Sequence, residues 1–161
     1  MENKEIEFGA KISNGQQIID LLSKKYGKPK VIKVQRLIYK TPNGKYFFKV
    51  SKESTIKRTA ATFSLKEDLL SKGIDSGIKV SDEVDVPVDE TQLSKLEQIL
   101  VFLGYQIASK FKKVRHEFMV EGMSVVVDKY ENNDYFEVEG DSKEKINNFI
   151  KTLPIIDSTI N

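Results

Sequence analysis

The sequence predicts an antiparallel α+β domain: an eight-stranded β-barrel, closed or nearly closed, with helices packed outside it. Three observations predict this. Most of the 161-residue chain alternates between polar and apolar residues with the two-residue period of a strand. Only three segments carry an apolar stripe at helical spacing. The apolar strand faces and the helical stripes also need each other for cover, so helices belong outside a curved sheet.

The helices come first. Residues 15–26 carry Ile18, Ile19, Leu21 and Leu22, with a capping-box spacing at Ser13-Asn-Gly-Gln16 before them and Gly27 after. Residues 90–103 carry Leu93, Leu96, Ile99, Leu100 and Leu103, and Gly104 stops them. Residues 142–153 follow a second capping box, Asp141-Ser-Lys-Glu144, carry Ile146, Phe149, Ile150 and Leu153, and end at Pro154. The predicted strands are 4–12, 31–40, 45–52, 57–66, 77–88, 106–120, 123–130 and 134–140. Asn43-Gly44 is a hairpin turn, and Gly122 and Asn132-Asn133 mark two more. Residues 67–76 read as a short helix or a loop. No repeat, linker or low-complexity tract interrupts the chain, so residues 1–161 are expected to form one domain.

Composition narrows the function classes. The chain has 26 basic and 24 acidic residues, so no excess charge drives the whole surface toward nucleic acid or membrane. It has no cysteine, which excludes disulfides and thiolate metal sites. Its single histidine, His116, argues against an imidazole-rich centre, so any metal would be a hard ion on carboxylates. No apolar run reaches membrane-spanning length, and the acidic start MENKEIEFG is unlike a signal peptide, so a cytoplasmic location is expected.

The charges fall on particular faces. On 4–12 one face holds Glu5, Glu7, Gly9 and Lys11, and the other Ile6, Phe8, Ala10 and Ile12. On 57–66 one face holds Arg58, Thr62, Ser64 and Lys66; on 79–88 one holds Lys79, Ser81, Glu83 and Asp85. Lys113, Arg115 and Glu117 share a face of 106–120, and Glu137 and Glu139 share one of 134–140. Any one of these could be the wet outer face of an ordinary sheet. With helices outside, however, all of them point inward. Unpaired charges do not survive burial, so the interior is expected to be a wet tunnel that holds something charged. Neighbouring carboxylates want a cation such as Mg²⁺ or Mn²⁺ between them, and Lys and Arg beside them want an anion. Together they describe a polyphosphate site.

The order of motifs resembles the CYTH superfamily of triphosphate tunnel metalloenzymes over about the whole chain. The opening Glu-x-Glu-x-Lys is matched by Glu5-Ile-Glu7-Phe-Gly9, and the next hairpin by QRLIYKTPNG. Lys49-Val-Ser51 stands for an Arg-x-Arg strand, Thr62-Phe-Ser-Leu-Lys66 for Leu-Thr-Leu-Lys, and Ser81-Asp-Glu83-Val-Asp85 for Arg-x-Glu-x-Glu. Lys113-Val-Arg115, Val127-Asp128 and Phe136-Glu137-Val-Glu139 complete the series. The resemblance implies an eight-stranded tunnel, a Mg²⁺ or Mn²⁺ cofactor, and a nucleoside triphosphate or other triphosphate as substrate. It implies Glu5, Glu7, Asp128, Glu137 and Glu139 as metal ligands or organisers of metal-bound water, with Glu5, Glu7, Glu137 and Glu139 catalytic. Glu83 and Asp85 form a second tier. Lys66, Lys113 and Arg115 would clamp phosphates, with Lys49 and Lys11 in support. Homodimers are common in the family.

The departures thin the basic set. Gly9 stands in place of a lysine, Ser51 of an arginine and Ser81 of an arginine, with Lys11 and Lys79 near two of them. Each lost charge-assisted contact is worth about 1.5–3 kcal/mol. Three functions therefore stay open: a class IV adenylyl cyclase, which the last third resembles most; an inorganic or thiamine triphosphatase; and a non-catalytic nucleotide or polyphosphate-binding module. Arg58 is as readily a surface charge, His116 reads as structural, and Tyr39, Phe47 and Phe48 read as hairpin packing.

Overall fold

The structure is a computed structural model that describes residues 4–41, 44–67 and 77–153. Eight antiparallel strands close into a barrel in the order β1-β5-β4-β3-β2-β6-β7-β8, as the alternation predicts. They are β1 (Lys4–Ile12), β2 (Lys30–Lys40), β3 (Tyr46–Ser54), β4 (Thr59–Glu67), β5 (Gly77–Val88), β6 (Gln106–Val120), β7 (Met123–Lys129) and β8 (Asp134–Gly140). The helices are α1 (Gly15–Tyr26), α2 (Leu93–Phe102) and α3 (Lys143–Lys151). A single 3₁₀ turn, Glu90–Gln92, precedes α2 where the periodicity predicted continuous α-helix. Asp89 caps that turn by accepting from the Thr91 N–H. Residues 68–76 and Asn43 lie outside the described residues.

Both capping boxes shift by one residue. Asn14, not Ser13, caps α1 by accepting from the Gln17 N–H at 3.1 Å. Ser142, not Asp141, caps α3 by accepting from the Lys145 N–H at 3.3 Å. At α1 the reason is tertiary. The Gly15 N–H donates to Asp134 Oδ2 of β8 at 2.8 Å, which pins the helix start against the barrel. A Cβ on residue 15 would stand 2.6 Å from that oxygen, so a larger residue there would push the Asp134 carboxylate off the helix start. The β6–β7 connection is a two-residue turn with both φ values positive, at Glu121 and Gly122.

The dry core lies outside the barrel. Phe8, Ala10 and Ile12 of β1, Phe118 of β6, Val125 and Val127 of β7, and Phe136 and Val138 of β8 form one apolar wall. Ile18, Ile19 and Leu22 of α1 and Ile146 and Phe149 of α3 cover it. Each large apolar side chain of this wall contributes about 1.5–3 kcal/mol on burial. A second cluster places Leu100 of α2 over Tyr39 and Val50, beside the stacked rings of Phe48 and Phe63. The greasy faces of β1, β7 and β8 thus point out under α1 and α3, Val84 and Val86 on the outer face of β5 stay about half exposed, and the ionic faces point in.

Candidate functional site: an ionic tunnel

Residues opposed in register share a side of the sheet, so the pairing traces the inner wall. Glu7 opposes Glu139 and Lys79, Glu5 opposes Ser81, and Lys66 opposes Glu83. Lys49 opposes Ser64, Arg36 opposes Ser51 and Phe111, and Arg115 opposes Asp128. Two communicating chambers of about 710 and 480 Å³ fill the lumen, and both are lined by Glu5, Arg36, Lys49, Arg115 and Glu139. The larger continues past Glu7, Lys66, Ser124 and Glu137 to a less polar end made by Ile38, Phe47, Ala108 and Phe111. The smaller adds Glu53, Glu83 and Asp85.

Charges in the lumen form two clusters. In the first, Lys66 Nζ stands 2.5 Å from Glu5, 3.0 Å from Glu83 and 3.4 Å from Glu7, and Lys49 pairs with Glu83. Burial, then a hydrogen bond to Glu83, pushes the Glu5 carboxyl up to about 8. Burial opposes the Glu83 charge, but the bond from Glu5 and the ammonium groups of Lys49 and Lys66 outweigh it and hold Glu83 well below the usual carboxylate range. Burial also works against the Lys66 charge, yet Glu7, Glu5 and Glu83 together hold its ammonium above the ordinary lysine value. Glu139 is raised mainly by burial.

The second cluster lies deeper. Asp128 is fully buried. Its oxygens accept from Arg115 Nε at 2.9 Å and Nη2 at 2.7 Å, and from Lys113 Nζ. Arg115 also reaches Glu137 at 3.0 Å. Burial pulls the Lys113 ammonium down to about 8. Asp128 stays below its ordinary value despite burial, because Arg115 bonds to it.

The structure therefore brings Glu5, Glu7, Glu137, Glu139, Lys49, Lys66 and Arg115 to one lumen, with Glu83 and Asp85 at the smaller chamber. Three expected site residues fall elsewhere. Asp128 and Lys113 sit beneath the lining and are bonded to each other, and Lys11 is exposed near the end of β1. Arg58 is exposed in the β3–β4 connection, where its N–H bonds Thr55 Oγ1. His116 opposes Val127 on the outer side, with Nδ1 buried and without a partner among the described residues. The Phe47–Phe48 pair splits, as adjacent strand residues must: Phe48 packs outside, and Phe47 lines the tunnel, not the hairpin packing expected of it.

Arg36, Ile38, Phe111 and Ser124 are lining residues that the sequence pattern does not single out. For Arg36 the reason is local. It shares the inner face of β2 with Ile32 and Val34, which oppose Arg115 and Lys113, so that face reads as apolar.

No protein-family model matches the chain, and no curated protein matches it. Solved structures do. A Pyrococcus horikoshii protein superposes with a TM-score of 0.74 at 19% identity, covering 92% of this chain and 85% of that one. A Hippeastrum protein, described as a candidate adenylyl cyclase with a dominant triphosphatase activity, gives 0.67 at 16% identity, over 92% and 85% of the two chains. A chain from the Schizosaccharomyces pombe Mediator head module gives 0.68 at 10% identity, over 98% and 96%. The fold is thus shared with these structures. No helix among the described residues is long and apolar enough to cross a membrane.

Proposed function

We propose that this tunnel is a divalent-metal-dependent triphosphate site and that the protein converts ATP to cyclic AMP and pyrophosphate, in the manner of a class IV adenylyl cyclase. One observation carries the proposal: Glu5, Glu7, Glu83 and Glu139 crowd one side of a lumen that also holds Arg36, Lys49 and Arg115. Along the two chambers Glu5, Glu7, Glu53, Glu83, Asp85, Glu137 and Glu139 outnumber Arg36, Lys40, Lys49, Lys66 and Arg115. A polyanion would be repelled by that excess unless it arrived with added cations. The donor set is carboxylate oxygen without thiolate or imidazole, which fits Mg²⁺ or Mn²⁺. Among the described residues no three acids already surround one metal position, and Lys66 Nζ stands between Glu5, Glu7 and Glu83. Glu5, Glu7, Glu137 and Glu139 would hold the metal once Lys66 turns away. When bound, the metal would neutralise these acids and the phosphate oxygens together.

The chain's own groups do the rest. Lys66, released from the acids, and Lys49 would bind phosphate oxygens beside Arg115. Asp128 and Lys113 hold the Arg115 fork in place from below. Ile38, Phe47, Ala108 and Phe111 give the larger chamber an end suited to an organic group, which bare tripolyphosphate would not need. In the cyclase reaction the ribose 3′-oxygen bonds to the α-phosphorus, the bond to the β-bridging oxygen breaks, and pyrophosphate leaves. A tunnel carboxylate left free of the metal would accept the hydroxyl proton.

A second reading, hydrolysis of the terminal phosphate by water, is favoured by the triphosphatase activity of the Hippeastrum neighbour. A non-catalytic module is favoured by the thinned basic set and by the barrel's presence in an assembly such as Mediator. Incubation with ATP, tripolyphosphate or thiamine triphosphate plus Mg²⁺ or Mn²⁺ separates the three. Cyclic AMP with pyrophosphate means a cyclase, orthophosphate a hydrolase, and tight binding without product a binding module. The double variant Glu5→Gln/Glu7→Gln should abolish either turnover, and retained turnover would refute the metal assignment.

A further inference from the structure

The tunnel's cations differ in what already holds them. Lys49 is matched by Glu83, Lys66 by Glu5 and Glu83, and Arg115 by Asp128 and Glu137. Arg36 is not matched: among the described residues no carboxylate lies within ion-pairing distance of it, although it lines both chambers. Its Nε donates to Ser51 Oγ at 3.0 Å, and its guanidinium carbon stands 5.9 Å from the Phe111 ring centroid. Ser51 is itself buried, and it opposes Arg36 in register across β2 and β3. The guanidinium is therefore steered by a hydroxyl on one edge and a ring on one face, while both Nη groups stay uncommitted among the described residues. A fixed, unmatched fork in a polar cavity is suited to a planar pair of anionic oxygens.

We infer that Arg36 is the principal anion-gripping residue of the tunnel and binds a phosphate group of the polyphosphate substrate where the two chambers meet. The inference deepens the triphosphate assignment above and rests on it. Lys40 also lacks a carboxylate partner among the described residues, but it is exposed at the end of β2 and nothing orients it. Because Arg36 and Ser51 face each other on neighbouring strands, the charge could be supplied from either one.

The test is calorimetric titration of sodium tripolyphosphate, with Mg²⁺ at fixed ionic strength, into the wild-type chain and three variants. Arg36→Met should weaken binding about 10- to 100-fold, the loss of one charge-assisted contact. Arg36→Lys, which keeps the charge but not the fork, should weaken it about fivefold or more. Arg36→Ser combined with Ser51→Arg should recover most of the affinity. Mn²⁺ binding without tripolyphosphate should be unchanged in all three, which a merely structural role would not predict. Wild-type binding matched within about twofold by Arg36→Met overturns the inference and leaves the triphosphate assignment standing. If Arg36→Met does not fold, unchanged affinity in Arg36→Lys has the same force. A wild-type chain that binds no tripolyphosphate overturns both.

Discussion

Lys66, half-buried, and Lys113, fully buried, both lie on the inner side of one barrel, and the structure moves them in opposite directions. The Lys66 side chain is 15% exposed and the Lys113 side chain 1%. The larger difference is in company. Lys66 faces Glu5, Glu7 and Glu83, so acids outnumber the cation and its ammonium is held above its ordinary value. Lys113 shares Asp128 and the nearby Glu137 with Arg115, so the acids at hand are already claimed, and burial pulls its ammonium down to about 8. Burial sets a cost for a charge, and the local count of opposite charges decides whether that cost is met. The Lys66 cluster has acid to spare for an incoming cation, whereas the Lys113 cluster is closed and serves to hold Arg115.

The comparison can be broken at several points. The largest effect is expected for Asp128→Asn, which leaves Lys113 and Arg115 with a neutral amide in place of the buried acid they share and with Glu137 as the acid that remains. Its stability should fall by about 3–5 kcal/mol, measured by urea unfolding. A loss under about 1 kcal/mol would mean that Asp128 does not hold the inner cluster. Lys66→Met should cost about 1.5–3 kcal/mol in metal-free buffer through lost charge-assisted bonds. Added Mn²⁺ should restore part of it by replacing the missing charge, and the absence of any Mn²⁺-dependent recovery would argue that these acids do not take a metal.

A smaller, pH-dependent effect belongs to Lys113. Its folded pKa, about 8, lies below the ordinary 10.5. Between those values the unfolded chain binds more protons, so stability rises with pH in that window. Wild type should therefore gain stability relative to Lys113→Met between about pH 7.5 and about pH 9.5, read from urea midpoints. A difference that is flat or falls with pH would reverse the direction assigned to Lys113. The smallest effect is expected for Lys145→Ala, which removes an exposed 2.8 Å pair with Asp141. It should leave the urea midpoint unchanged, since solvent screens such pairs.

How much of the site is legible in the sequence depends on the strand. On β1 and β8 the Glu-x-Glu pairs stand opposite Phe8, Phe136 and Val138, so the two faces separate cleanly and the inner one can be read directly. On β5, Glu83 and Asp85 are legible for the same reason. On β2 the pattern misleads. Ile32 and Val34 are buried on the inner side, Tyr39 is buried on the outer side, and the register shifts between Ile38 and Tyr39. Arg36 is hidden by those apolar neighbours. Asp128 is legible as an inward acid on β7, but its engagement by Lys113 and Arg115 is not, because both partners come from β6.

By itself the sequence determined the strands, most of their boundaries, and which side chains share a face, because a two-residue alternation is a local property of the chain. It also determined that the interior would be ionic, since three helical stripes could cover only the outward apolar faces. Only the tertiary structure decided which charges neutralise one another and which are left over. Those contacts join residues as far apart as Glu5 and Lys66, and they depend on the register and closure of the barrel, which no local pattern encodes.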